Sequence, residues 1–363
     1  MSLMNSASPV CADTVPYRKA FSVVYVEEAA WSHPRTQRIL AKLPGATVIR
    51  CRDYREIFNR PHQEPALQKM AQALILAVSD RARVYAGAPV CQDFGNDRFY
   101  YTSDVMNCVF DCEYCYLQGM YPSGHVVVFV NLEDTFAELD RLLAADTPYG
   151  ESTPPGSPAY VCISYDTDLL ALEPLLGYVG QWIAYAADRP SLTLELRTKA
   201  ASASILRSLP ASDRIILALT LSPDPVIRAM EHRTPSLSAR LALAAEAISL
   251  GWKVRLCFDP MIALHDAAAV YDAMFDEVFA ALPMAQVHDA SVGLFRISRE
   301  YLKDMRHRRP CAVTCYPYQL TDGVYHYPPE IGDPLIRLAV SRLSQQMPRE
   351  RIFLWDAVPE STD

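Results

Sequence analysis

The chain has 363 residues, half of them hydrophobic and 21% charged, a globular composition with enough apolar material for one large domain or two ordinary ones. A net charge of −8 does not announce a nucleic-acid binder, although a local basic face is compatible with it. No apolar run reaches the roughly eighteen residues of a membrane helix, the N-terminus lacks a signal-peptide pattern, and ten cysteines are scattered as in a reducing cytosol, so the expectation is a cytoplasmic protein with no membrane partner.

Residues 1–17 read as a loose leader. Phe21–Val26 is β-rich, and Ser32-His33-Pro34 opens a helix running to Leu43, with proline in its first turn. Ala46–Arg50 reads as a second strand and Glu64–Val78 as a helix, giving a small α/β unit over residues 1–95. Between 96 and 300 the pattern alternates. Candidate strands are Phe99–Thr102, Val126–Val130, Ala159–Ser164, Thr193–Arg197, Ile215–Leu221, Lys253–Phe258 and Ser291–Ile297, with helical stretches between them, among them Leu169–Ala187. Repeated switching between strand-like apolar runs and 3.6-residue spacing predicts a parallel sheet wrapped by helices. The fold class is α/β: a partial (β/α)6 TIM barrel preceded by the small N-terminal unit, with function expected at the carboxyl ends of the strands. Tyr149–Pro158 is a loop by its Pro, Gly and Ser content. Residues 301–363 form a C-terminal extension, a candidate lid or DNA-binding segment, closing with a helix near Asp333–Gln346 and a strand near Arg351–Trp355.

Directly after the first barrel strand stands Asn107-Cys108-Val109-Phe110-Asp111-Cys112-Glu113-Tyr114-Cys115-Tyr116-Leu117-Gln118. Its C-x3-C-x2-C spacing can gather three thiolates on one loop. Structural zinc and common iron–sulfur frameworks use four protein ligands, whereas three thiolates leave one iron of a [4Fe–4S] cluster open to an external chelator. On the residues alone a disulfide with a spare thiol, or a zinc site completed by His125, also stays open. Cys311 and Cys315 form a pair without a third partner and read as free thiols.

This spacing, with Tyr114 just before the last cysteine, resembles the cluster loop of the radical SAM superfamily. The continuation Cys115-Tyr116-Leu117-Gln118, then Val128-Phe129-Val130-Asn131-Leu132-Glu133-Asp134, resembles the spore photoproduct lyase family. So do Tyr165 to Glu173, Leu196-Arg197-Thr198-Lys199, Pro225-Val226-Ile227-Arg228, Arg233-Thr234-Pro235-Ser236-Leu237 and Arg240, the resemblance covering about residues 20–300. The resemblance implies a carbon–carbon lyase with two cofactors, a [4Fe–4S] cluster on Cys108, Cys112 and Cys115, and S-adenosylmethionine, cleaved by one electron to a 5′-deoxyadenosyl radical. The electron comes from a donor such as flavodoxin or ferredoxin. The implied partner is DNA carrying a photolesion, the methylene-bridged thymine dimer.

Carried over residue by residue, Thr167, Lys199 and Thr220 are cofactor-pocket candidates, and Tyr114 beside the last cysteine and the strand-end Asp259 join them. A lysine at a strand's carboxyl end can pair with a ligand carboxylate; a satisfied hydroxyl at Thr167 or Thr220 and a helix-capping role for Asp168 or Asp259 remain equally compatible with the residues. Tyr116, Tyr165 and Cys162 are the catalytic candidates. Where the family has a hydrogen-returning cysteine this chain has Tyr165, and strand alternation would put Cys162 on the opposite face, as a small core residue. In the run from Arg296 to Arg309, the residues Arg296, Arg299, Arg306, Arg308 and Arg309 are candidate phosphate contacts, or else one solvated helix face. The open alternatives are a radical SAM paralogue with another substrate and a non-catalytic iron–sulfur or zinc DNA-binding protein.

Overall fold

The computed structural model describes residues 21–355 apart from 82, 88–90 and 145–157. The leader 1–17 and nearly all of the Tyr149–Pro158 loop lie outside the described residues.

Leu74–Ala77 is the strand that centres the first sheet. All four side chains are buried, the pattern of a strand covered on both faces. It pairs in parallel with Val23–Glu27 on one side and Val126–Phe129 on the other. Thr47–Cys51 and Val105–Met106 complete a five-stranded sheet. Two expectations change here. The helix expected over Glu64–Val78 is confined to Pro65–Met70, because the apolar run behind it joins the sheet. Val126–Phe129, expected in the barrel, belongs to this first sheet, so chain order and sheet membership do not coincide around residue 95.

The second sheet has eight strands in the order Ile352–Leu354, Asp289–Leu294, Lys253–Met261, Ile215–Thr220, Leu192–Thr198, Ala159–Cys162, Arg98–Thr102 and Val84–Ala86. Every pairing is parallel except that of the Val84–Ala86 edge. This is the curled partial barrel expected from the alternation. The stretch Leu169–Ala187 forms two helices, Leu169–Leu176 and Tyr178–Ala187, divided at Gly177, whose φ of 68° ends the first helix in the left-handed conformation. Pro329–Ser344 adds a last helix before the Ile352–Leu354 strand.

The barrel interior holds a buried, paired charge network. Arg255 is buried and holds Asp289 through two nitrogens, with Glu195 at 2.8 Å. Its guanidinium also lies 3.5 Å from the Phe94 ring centroid. Such a network survives burial because each charge has its counter-charge and its donors are spent. Function is left to the strand ends above it. Among the described residues no helix is long and apolar enough to cross a membrane.

Candidate active site

The three cysteines of Cys108, Cys112 and Cys115 sit on a loop fastened from every side. Asn107 takes a positive φ of 74°, which asparagine tolerates. Its amide donates to the carbonyls of Ser123 and His125 at 2.7 and 3.0 Å. Beneath the loop the buried Lys69 ammonium donates to Asn107 Oδ1, the Cys108 carbonyl and the Phe110 carbonyl, so all three of its protons are used. Asp111–Cys112 pairs antiparallel with Glu231–His232, and Glu113 bonds to His232 at 2.9 Å. Cys112 is buried, and Cys108 and Cys115 are half-buried. Burial pushes all three thiols up, Cys108 to about 12. Thiols so placed ionise only beside a strong positive charge, which is what the irons of a cluster provide. His125 is turned away, its Nδ1 accepting from the Ala73 amide at 3.1 Å. Among the described residues no three His, Cys, Asp or Glu side chains converge as ligands of one ion. The donor set fits a cluster whose irons occupy separate corners.

Lys199 stands just past the end of Leu192–Thr198 and reaches the cysteine loop. Its Nζ lies 2.9 Å from the Tyr114 hydroxyl, 3.7 Å from Cys112 Sγ and 3.9 Å from Glu231 Oε1. Burial disfavours the charge, but Cys112, Glu231 and Tyr114 outweigh it and hold its pKa well above the usual range. Tyr114 is buried and donates to Glu231, which also receives Ser222 at 2.7 Å and the buried Arg240. Burial would raise the Glu231 carboxyl, yet Lys199 and Arg240 bring it down to about 2. Thr167 Oγ1 is buried with no hydrogen-bond partner, an orphaned polar atom one residue before the Asp168 carboxylate that accepts from the Lys199 amide. An amino-acid ligand would satisfy this hydroxyl and the Lys199 ammonium, so the pocket fits S-adenosylmethionine. Thr220 is buried at the end of Ile215–Thr220. Asp168 proves to be a cap and brace: it accepts from the Ala171 amide at 2.9 Å, the Thr198 hydroxyl at 2.7 Å and the Lys199 amide at 2.7 Å. Asp259 lies between Arg296 at 3.3 Å and Arg197 at 3.9 Å.

Tyr116 and Tyr165 come together. The Tyr116 hydroxyl donates to the Tyr165 carbonyl at 2.7 Å, and the rings are 5.7 Å apart. Asp166 is the hub below them, accepting from Ser103 at 2.6 Å and Tyr121 at 2.8 Å. The expected opposition of Cys162 and Tyr165 is not found. The strand ends at Cys162 and residues 163–166 form a turn, so alternation stops before it reaches Tyr165. Both side chains meet the same cluster with Phe94 and Tyr160. Cys162 is buried inside it, 3.7 Å from Glu195, and Tyr165 lies at its margin.

The family model for spore photoproduct lyase matches residues 21–307. The chain belongs to the spore photoproduct lyase family. Two curated relatives carry that description. The protein of Bacillus subtilis (strain 168) is 20% identical over 279 residues, covering 76% of this chain and 77% of its own. That of Clostridium acetobutylicum is 24% identical over 258 residues, covering 70% and 72%. In fold the chain is similar to a solved spore photoproduct lyase mutant with dinucleoside spore photoproduct, at a TM-score of 0.77 and 18% identity over 93% of this chain and 98% of that one. A double mutant with bound AdoMet and the same dinucleoside gives a TM-score of 0.76 over the same coverage.

The arginines named from the sequence divide. Arg308 Nη1 donates to the carbonyls of Gln118, Gly119 and Tyr121, capping the short Leu117–Met120 helix that follows the cysteines. Arg309 pairs with Asp111 at 2.7 Å and Glu113 at 3.5 Å. Arg296 is engaged with Asp259, and Arg306 donates to the Thr314 carbonyl at 2.6 Å while remaining exposed. Arg299 and Lys303 are exposed on the Arg299–Arg308 helix. The single solvated face expected of this run is therefore only partly one. Tyr318 and Tyr327 of the tail are buried against Phe295 and Tyr316, the packed alternative for those aromatics. Glu231, Asp166, Lys69 and Cys91 escaped the sequence reading. Only for Asp166 was a signal available, its place inside the Tyr165–Glu173 string.

Proposed function

We propose that this chain is a radical SAM lyase that reverts spore photoproduct, the methylene-bridged thymine dimer, in DNA. The observation that carries the reading is the Lys199 ammonium at a barrel strand's end, within hydrogen-bond distance of Tyr114 and beside Cys112 on the three-cysteine loop. When bound there, a [4Fe–4S] cluster and S-adenosylmethionine supply a 5′-deoxyadenosyl radical. Cys108, Cys112 and Cys115 hold the cluster. Lys199 and Thr167 orient the amino-acid end of S-adenosylmethionine, with Thr220 and Asp259 at neighbouring strand ends. Tyr116 and Tyr165 border the adjoining space, where a crosslinked base pair would enter after leaving the stack. Arg299 and Lys303, with Arg306 exposed beside them although it is bonded to the Thr314 carbonyl, are the side chains to meet phosphates. The electron donor is of the flavodoxin or ferredoxin class, and the described cysteines, none of them paired, agree with a cytoplasmic setting.

The test is an anaerobic assay of the reconstituted protein with the purified bridged dinucleotide, dithionite and S-adenosylmethionine. Conversion to thymidylyl-thymidine with cleavage of S-adenosylmethionine is expected. Cleavage without any change in the dinucleotide would assign the chain to another substrate, and a protein that binds zinc but no cluster would make it a binding module.

A further inference from the structure

The cysteine loop is met by Lys199 from the barrel, by Arg309 from beyond the basic helix, and by the short helix Pro65–Met70 from the side of the first sheet. The two faces of that short helix differ. Pro65 and Lys69 are its buried residues, and Lys69 donates to the Cys108 carbonyl at 2.5 Å and the Phe110 carbonyl at 3.1 Å. Leu67 and Met70 stand three residues apart, hence on one side of the helix. They are 65% and 78% exposed, the two most exposed large apolar side chains among the described residues. Gln72, just beyond, donates to the Cys108 carbonyl at 3.0 Å and accepts from Arg233 at 3.2 Å. Arg233 also reaches the Val109 carbonyl at 3.4 Å, yet the residue is exposed. Arg60, before the helix, is a second exposed cation, with Glu64 the carboxylate at the helix start. An uncovered apolar face with arginine at its edges thus adjoins the side chain that braces the first cluster cysteine.

We propose that the Leu67–Met70 face is the docking surface for the electron donor, an acidic flavodoxin, an assignment that rests on the radical SAM reading above. One-electron transfer weakens steeply with distance, so the carrier has to seat close to the cysteines. From Met70 the route inward is short: one peptide link to Lys69, then one hydrogen bond to the Cys108 carbonyl. Exposed apolar patches bordered by polar side chains mark interaction sites. The outer edge of a flavin ring is flat and apolar, which matches a leucine and a methionine; methionine adapts readily to a partner's surface. In a chain of net charge −8 the exposed Arg60 and Arg233 make this edge locally cationic, which steers an acidic partner to it and disfavours other approaches. The reduced flavin is oxidised by one electron, which passes to the cluster, and no bond forms or breaks in this chain.

The test compares reconstituted wild type, the double variant Leu67→Glu/Met70→Glu, and Leu250→Glu, which alters an exposed leucine just before a barrel strand begins, at the end away from the cysteines. S-Adenosylmethionine cleavage is driven either by a reduced bacterial flavodoxin or by dithionite, which is too small to need a docking face. In the double variant kcat/KM for flavodoxin should fall at least about tenfold, because a carboxylate inside an apolar contact is desolvated without a partner. Its dithionite-driven rate, iron content and melting temperature should match wild type, and Leu250→Glu should match in every assay. Titration of oxidised flavodoxin into each protein should show the same loss of affinity, independently of turnover. Unchanged flavodoxin kinetics and affinity in the double variant overturn the docking surface, as does an equal loss with dithionite. A wild type reduced by a plant-type ferredoxin but not by flavodoxin overturns the flavodoxin assignment and leaves the radical SAM reading intact. A wild type that cleaves no S-adenosylmethionine even with dithionite overturns both.

Discussion

Arg309 forms an ion pair with Asp111 at 2.7 Å, joining the chain just beyond the Arg299–Arg308 helix to the loop that carries the three cysteines. Both side chains are mostly shielded, 21% and 13% exposed. Together with the Arg308 cap on Leu117–Met120, it makes the basic segment a clamp on the cysteine loop. Arg309→Ala should cost about 1.5–3 kcal/mol, the range for hydrogen bonds to charged groups, and loosen iron retention. Arg299→Ala should leave stability within about 0.5 kcal/mol and weaken DNA binding. Denaturant midpoints, iron content after gel filtration and binding to lesion-containing duplex separate the two.

Replacing Cys108, Cys112 or Cys115 with alanine should abolish cluster assembly, whereas Cys311→Ala and Cys315→Ala should retain it. Iron and sulfide content with the visible spectrum after anaerobic reconstitution decides this. A full cluster in any of the first three variants would remove the thiol from the ligand set.

Lys199→Ala should weaken S-adenosylmethionine binding by about 1.5–3 kcal/mol, as for a lost hydrogen bond to a charged group. Equilibrium binding to the reconstituted protein measures it. Cluster loading should persist, because Lys69 and the Glu231–His232 pairing hold the loop without Lys199.

Glu231 makes stability acid-sensitive. Its folded pKa of about 2 lies below the ordinary 4.5, so its contribution is complete above about pH 4.5 and is lost as pH falls toward about 2. Urea unfolding between pH 5 and pH 2 should show that decline. Glu231→Gln should be less stable at neutral pH and flatter across the same window.

A methyl group on Gly119 would meet the Tyr301 carbonyl oxygen at 2.5 Å and its Cα at 2.7 Å. The two helices touch through backbone there, so Gly119→Ala should cost about 1–3 kcal/mol as overpacking. Thermal unfolding of the cofactor-free protein gives the value, and a neutral result would mean that the helices part without penalty.

The cysteine spacing was legible because ligands for one cluster lie on one local loop, whose reach the spacing itself limits. The alternating pattern likewise determined the partial barrel, since strand and helix periods are properties of short windows. Lys199 could be placed because it immediately follows a strand. Tertiary structure decided the rest. An apolar run such as Leu74–Ala77 is ambiguous until its neighbours in the sheet are known, and only pairing with Leu74–Ala77 assigns Val126–Phe129 to the first sheet. The sequence displays Arg308 and Arg309 as charge, but acceptors 190 and 198 residues away turn them into fasteners. Cys91 meets Tyr165 across 74 residues, and Tyr114 meets Glu231 across 117. A polar side chain's role is set by the partner that replaces its water, and in this chain those partners come from distant segments.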